Sequence, residues 1–316
     1  MREIPLELRS GPFTLARAAE LGVSRRMLDG ARFRTPFPGV RVLAEAPDTL
    51  PERCRAAALV LPPQAAFSHD TAVWLGGWPR PLRAGDSPIH VSVPTSLPRP
   101  RITGLRGHRV TWRPADVSTV NGLRVTAPGR TWCDLAASGW SILDLVMFAD
   151  ALRRRCESTG LAQLHEHLES WEGQRSVRRL HRALALSSDR VDSPMETRMR
   201  LLFRVAGLPT PQVNEWVEDS FGHKIHRPDL SWPQWKVAAD YDGAHHLEWD
   251  AEADVIAGRR SNWRRRQDLT RQDQLAAEGW QLRVFTAFDL FTLHPRAVAR
   301  MRETLKRAGC PIRSTP

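Results

Sequence analysis

The chain has 316 residues, 41% of them hydrophobic and 26% charged, which excludes a wholly disordered polymer and predicts two or three domains. Its 46 Lys+Arg against 35 Asp+Glu leave a formal charge of +11, which points to an anionic partner. Only Lys224, Lys236 and Lys306 are lysines, and Tyr241 stands alone beside twelve tryptophans, so chemistry built on a tyrosine nucleophile or a lysine-rich site has almost nowhere to reside.

The first residues lack the apolar core of a secretory signal. The most apolar stretch, near 141–152, is interrupted by Asp144 and Asp150, so no membrane span is expected. Cys54, Cys133, Cys156 and Cys310 are widely spaced and form no CxxC pair, which argues for reduced thiols and a cytoplasmic setting.

Residues 1–48 read as a winged helix-turn-helix. Thr14 can cap a short helix carrying Leu15, Ala18 and Ala19; 21–23 turn the chain; Ser24 can cap a second helix over 25–28. Arg32-Phe33-Arg34 and Gly39-Val40-Arg41-Val42 flank a proline-rich turn like two strands of a wing. In such a layout Arg25 and Arg26 suit the major groove, with Arg32, Arg34 and Arg41 on the wing as DNA contacts. A capped helix pair with solvated arginines has the same pattern and stays open.

Residues 49–188 form a mixed, mostly helical middle region: a helix near 52–61, extended runs at 89–93 and 110–112, then helical patterning from about 131 to 186. His69-Asp70 and His165-x-His167 are ligand types, but residues two apart do not share a helix face, so both are read as structural or surface features.

Residues 189–316 follow the order helix, three strands, helix, strand, helix. Ser193-Pro194-Met195-Glu196 is a capping box with proline at the first helical position. Strands are predicted over 212–217, 224–232 and 235–242, then a basic helix over 259–278 closed by Gly279, and a strand over 281–286. The strand 236–242 alternates Lys236, Ala238, Asp240 and Asp242 on one face with Val237, Ala239 and Tyr241 on the other, which turns Tyr241 to the core. A two-residue loop at Pro233-Gln234 would pair Ser231 with Lys236 and leave Asp229 a diagonal neighbour of Asp240, Cα atoms about 7 Å apart. An odd loop would flip Asp229 to the other face. Clustered carboxylates repel unless a cation joins them, and hard oxygen donors suit Mg²⁺ or Mn²⁺. In a basic chain this predicts metal-dependent phosphodiester hydrolysis. The competing reading pairs these acids with Arg227 and with Arg264, Arg265 and Arg266.

Ser193-x-x-Glu196, Arg227-Pro228-Asp229-Leu230 with Trp232-Pro233, Asp240-Tyr241-Asp242-Gly243-x-x-His246, Asp268-x-x-Arg271, Gly279-Trp280 and Arg283-Val284 together resemble the domain of unknown function related to very-short-patch-repair (Vsr-like) endonucleases. That group sits in the PD-(D/E)XK superfamily, whose αβββαβ, restriction-endonuclease-like core has the predicted element order; the resemblance covers about residues 190–310. Upstream, about 13–42, Ser68-His69-Asp70-Thr71-Ala72 and Arg130-Thr131-x-x-Asp134-Leu135 resemble bacterial proteins with an AbiE-type antitoxin-like winged helix. The fold class so implied is a multidomain α/β and α+β chain.

The first resemblance implies Asp229 as central metal ligand and Asp240 as second acid, where relatives more often carry Glu. Asp242 occupies the position of the superfamily lysine, and Lys236 lies too far along the strand to replace it. It implies His246 as the proton-handling group with His245 as fallback, and Glu196 as either a metal neighbour or only a helix cap. Asp268 reads as structural, and Arg264, Arg265 and Arg271 as part of the basic nucleic-acid surface. The expected function is an Mg²⁺-dependent DNA endonuclease, with RNA open as a substrate and any toxin or defence-system partner unidentified. The alternative is a transcriptional regulator or antitoxin-like repressor with an inactive nuclease fold.

Overall fold

The computed structural model describes residues 4–81, 88–174, 176–243, 271–291 and 296–312. His245, His246, Arg264, Arg265 and Asp268 therefore lie outside the described residues. The chain is mixed α/β and divides into two compact units, Met1–Phe148 with Ala162–Arg182, and Ala149–Leu161 with Ala183–Pro316. No helix among the described residues is long and apolar enough to cross a membrane.

The first unit begins with β1 (Phe13–Thr14), α1 (Leu15–Glu20), α2 (Arg25–Leu28), β2 (Phe33–Arg34) and β3 (Val40–Leu43), the strands pairing in the order β1-β3-β2. Thr14 caps α1, its hydroxyl accepting from the Arg17 amide at 3.1 Å, whereas the Ser24 side chain makes no capping bond to α2. Ile4, Leu8, Phe13, Ala18, Val23, Leu28 and Phe33 form a small core.

The first half of the middle region is not mostly helical. Behind α3 (Leu50–Ala58) stand β4 (Ala66–Phe67), β5 (Ile89–Pro94), β6 (Leu105–Val110), β7 (Val117–Val120) and β8 (Leu123–Thr126), a five-stranded sheet ordered β6-β5-β4-β8-β7. The predicted strand at 110–112 is displaced to β6, an edge strand whose Arg106, Gly107, His108 and Arg109 hide any apolar alternation. Ile89, Val91 and Val93 turn into a core with Phe67, Leu123 and Val125, so His90 and Ser92 occupy the other face. Two helices accompany the sheet, α4 (His69–Leu75) and α5 (Pro128–Ala137).

The Arg130-Thr131-x-x-Asp134 segment is a buried ionic layer in this unit. Arg130 bonds Asp134 at 2.9 Å and Asp116 at 3.3 Å, with Trp171 under its guanidinium. His167 is structural: it faces Asp116 at 3.3 Å and packs on Gly129, where a Cβ would stand 2.4 Å from its Nδ1. The remaining helices here, α6 (Ile142–Arg155), α7 (Glu157–Glu169) and α8 (Val177–Leu186), supply residues to both units.

The second unit runs α9 (Pro194–Val205), β9 (Gln212–Val213), β10 (Val217–Glu218), β11 (Lys224–His226), β12 (Leu230–Trp232), β13 (Val237–Tyr241), a helical stretch over 271–277 (α10), β14 (Gln281–Phe285), α11 (Ala287–Phe291) and α12 (Arg296–Arg307). The main sheet is ordered β14-β13-β12-β9, with β13 and β14 parallel, and β10 pairs with β11 as a separate ribbon. Two predicted strands are each split. Asn214 adopts φ 51° after β9, and Arg227-Pro228 removes an amide donor between β11 and β12. Met199, Phe203, Leu230, Trp232, Val237, Ala239 and Phe285 form the core, and Tyr241 packs against it as its alternation predicts.

The β12–β13 connection is longer than two residues. A single 3-10 turn at Pro233–Trp235 and Lys236 at φ 48° close it, so Trp232 pairs with Val237 and Ser231 with Ala238. Continuing that register sets Asp229 against Asp240 rather than Ala238. The slip of two residues keeps the same face, because side-chain orientation has period two.

Candidate functional site

Asp229 and Asp240 come together at the adjoining ends of β12 and β13. The Asp229 amide donates to Asp240 Oδ1 at 3.2 Å, and Asp229 Oδ2 accepts the Tyr241 amide at 2.6 Å. Glu196 joins them from the first turn of α9. Ser193 Oγ accepts the Glu196 amide at 3.2 Å, as the capping-box spacing predicts. The return arm differs: Glu196 Oε2 accepts the Asp192 amide at 2.9 Å and Asn214 Nδ2 at 2.8 Å. Glu196 is thus both cap and buried acid, fixed from two sides.

The electrostatics follow from this crowding. Burial first, then Glu196, with Asp240 and Asp192 adding their charge, pushes the Asp229 carboxyl up to about 8, although the Tyr241 amide pulls the other way. Among the described residues, Asp229 Oδ1 and Glu196 Oε1 have no protein donor. A proton on Asp229 relieves the repulsion, and oxygen donors of this kind could instead hold a divalent cation through those lone pairs.

His226 is the residue that reading the sequence missed. Its Nε2 lies 2.7 Å from Asp240 Oδ2, and the residue is 9% exposed. With the Asp229 amide on Oδ1, both Asp240 oxygens are held, so a metal there would take a second lone pair of one oxygen. The available signal was its place three residues before Asp229 at the end of the short strand Lys224–His226; nothing local marks it as facing Asp240.

Asp242 is half-buried, its amide donating to Phe285 O at 2.8 Å. A cleft of about 370 Å³ opens beside the cluster, lined by Asp240, Tyr241, Asp242, Arg271 and Gln272. Arg271 and the second acid thus line the same cleft. Lys236 donates to the Glu278 carbonyl at 2.7 Å, away from the acids, as its distance along the strand predicts.

The N-terminal arginines divide. Arg25, Arg26 and Arg32 are exposed, Arg25 reaching Asp29 only at 3.9 Å. Arg34 is engaged with Asp48 and the carbonyls of Ala46 and Pro47. Arg41 does not belong to a solvent-facing DNA set: it is 7% exposed and bonds Leu28 O and Asp29, satisfying carbonyl and carboxylate groups at the end of α2.

No protein-family model matches the chain. Two proteins of Mycobacterium tuberculosis, from strains CDC 1551 / Oshkosh and ATCC 25618 / H37Rv, are each 26% identical to it over 221 residues, covering 70% of this chain and 74% of theirs. Both are described as uncharacterized proteins, so the chain is similar to mycobacterial proteins whose descriptions carry no activity.

Proposed function

We propose that the chain binds DNA and hydrolyses phosphodiester bonds at a divalent-metal centre on Asp229 and Asp240, in a Vsr-like member of the PD-(D/E)XK nucleases. The observation that carries this reading is the meeting of Asp229, Asp240 and Glu196 from two paired strands and the preceding helix. The order α9, β9, β12, β13, α10, β14 supports it, being the αβββαβ order of that superfamily with a small ribbon inserted. Mg²⁺ or Mn²⁺ held there would activate water and offset phosphate charge. His226 orients Asp240, and Arg271 lines the adjoining cleft where a phosphate would lie. The N-terminal helices and hairpin support a winged-helix reading, with Arg25, Arg26 and Arg32 as the arginines open to a phosphate backbone.

A repressor with an inactive nuclease fold is the second reading, favoured by Asp242 standing where that superfamily has its lysine. Full-length protein is incubated with supercoiled, mismatched and branched DNA, and with RNA, in Mg²⁺ or Mn²⁺. Nicking by the wild type that Asp229→Ala and Asp240→Ala both lose is the expected result. A wild type that cleaves nothing beyond Asp229→Ala with either metal refutes hydrolysis, and specific promoter binding would then identify the repressor.

A further inference from the structure

Three histidines far apart in the chain meet on the sheet of the first unit. His90 lies on β5, on the face opposite the Ile89, Val91 and Val93 core contacts. The parallel register sets Ser92 beside His108 on β6, so His108 shares the His90 face. His69 follows β4, the other neighbour of β5, where the Ser68 amide donates to His90 O at 3.0 Å. His69 takes φ 52°, a left-handed backbone uncommon outside glycine, and its ring stacks on His108 at 4.0 Å.

We propose that His69, His90 and His108 hold one divalent transition-metal ion of the Zn²⁺ class, with a coordination position open to the arginine-lined cleft beside them. One ring nitrogen from each histidine lies within 4.8 Å of the other two, and His90 Nδ1 is 3.1 Å from His108 Nε2. Tetrahedral zinc with Zn–N of about 2.0–2.1 Å places its ligand atoms about 3.3 Å apart, so that pair is already at ligand spacing. Imidazole selects Zn²⁺, Co²⁺, Ni²⁺ or Cu²⁺ over Mg²⁺, which separates this centre from the carboxylate cluster of the second unit.

The surroundings suit neutral, ligating imidazoles. Burial, then the neighbouring rings and Arg130 and Arg106, holds His69 down to about 2; burial, His90, Arg106 and Arg99 hold His108 down to about 4. A second sphere is in place: His69 Nδ1 is 2.9 Å from Ser68 Oγ, which accepts from Ser92 Oγ at 2.8 Å. With the metal bound, His69 Nδ1–H donates to Ser68 and Nε2 carries the ligating lone pair. His69 and His108 line a cleft of about 990 Å³ together with Arg99 and Arg101. Those cations oppose a bare metal ion and favour an oxyanion, such as phosphate, as the fourth ligand.

The test uses Co²⁺ on the full-length Asp240→Ala protein in excess Mg²⁺, so that the carboxylate cluster does not compete. One equivalent of Co²⁺ with visible d–d bands, displaced by Zn²⁺ and altered by phosphate, is expected. His108→Gln, at the cleft wall, should weaken binding at least about ten-fold, and Ser68→Ala about 10–100-fold. His165→Gln should change nothing. Circular dichroism checks that each variant is folded, and His108→Gln decides the matter if His90→Gln does not fold. Absent bands, or bands unchanged in folded His108→Gln, overturn the site; bands indifferent to phosphate overturn its open position.

Discussion

The Asp229 carboxyl makes the acid cluster measurable without any substrate. In the metal-free protein it is raised to about 8 by burial and by Glu196 and Asp240. In an unfolded chain it returns to about 3.9. Between these values the folded state holds a proton that the unfolded state has released, so the contribution of Asp229 to stability is fullest below about pH 4 and falls as pH rises through the window. At about 1.36 kcal/mol per pH unit the ceiling is about 5.6 kcal/mol. Asp229 shares its charge with Glu196 and Asp240 and keeps some access to water, so about 2–3 kcal/mol is the expected loss between about pH 5 and pH 8. Asn at this position cannot ionise and keeps an oxygen for the Tyr241 amide. In urea unfolding with a chelator present, wild type should lose that stability while Asp229→Asn does not, and the variant should be the more stable at pH 8. Mg²⁺ bound at the proposed site would take the place of the proton, so adding it should restore wild type and leave Asp229→Asn unmoved. A variant less stable than wild type at pH 8 in chelator would refute the account.

Asp150 is 2% exposed and accepts from Ser188 N at 2.6 Å, Thr197 Oγ1 at 2.8 Å and Arg200 at 2.9 Å. Asp150→Ala strands the buried Arg200 and should cost about 3–5 kcal/mol in denaturant titration; an unchanged midpoint would contradict this. Gly129→Ala drives its Cβ to 2.4 Å from His167 Nδ1 and should lower Tm by an amount worth about 1–3 kcal/mol. Arg41→Ala should lower stability by about 1–3 kcal/mol through its lost buried bonds to Leu28 O and Asp29. Arg26→Ala should leave Tm alone while weakening DNA binding and flattening its salt slope by about one, as titrations across ionic strength would read. His226→Ala removes the partner of Asp240 and should lower metal-dependent nicking about 10–100-fold with the fold retained.

Much of the second unit was legible locally. Caps and alternation act within a few residues, so Ser193 and Glu196 mark the start of α9, and the 236–242 pattern identifies which side of β13 is core. The parity that places Asp229 and Asp240 on one face was conditional on an even connection, which the Trp232–Val237 pairing supplies. The register itself was not legible locally. Lys236 in a left-handed turn lengthens the β12–β13 connection and moves Asp229 from Ala238 to Asp240. In the first unit, β6 escaped because an edge strand with charged residues carries no apolar period.

The sequence by itself determined the basic charge, the helix starts, the core side of β13 and the pair of acids on its other side. Tertiary structure decided which side chains meet. Only folding brings His226 to Asp240, buries Arg41 against the end of α2 and assembles His69 at the start of α4 with His90 of β5 and His108 of β6. Those contacts depend on sheet order and register, which are set by packing of the whole core, and no periodicity along the chain encodes them.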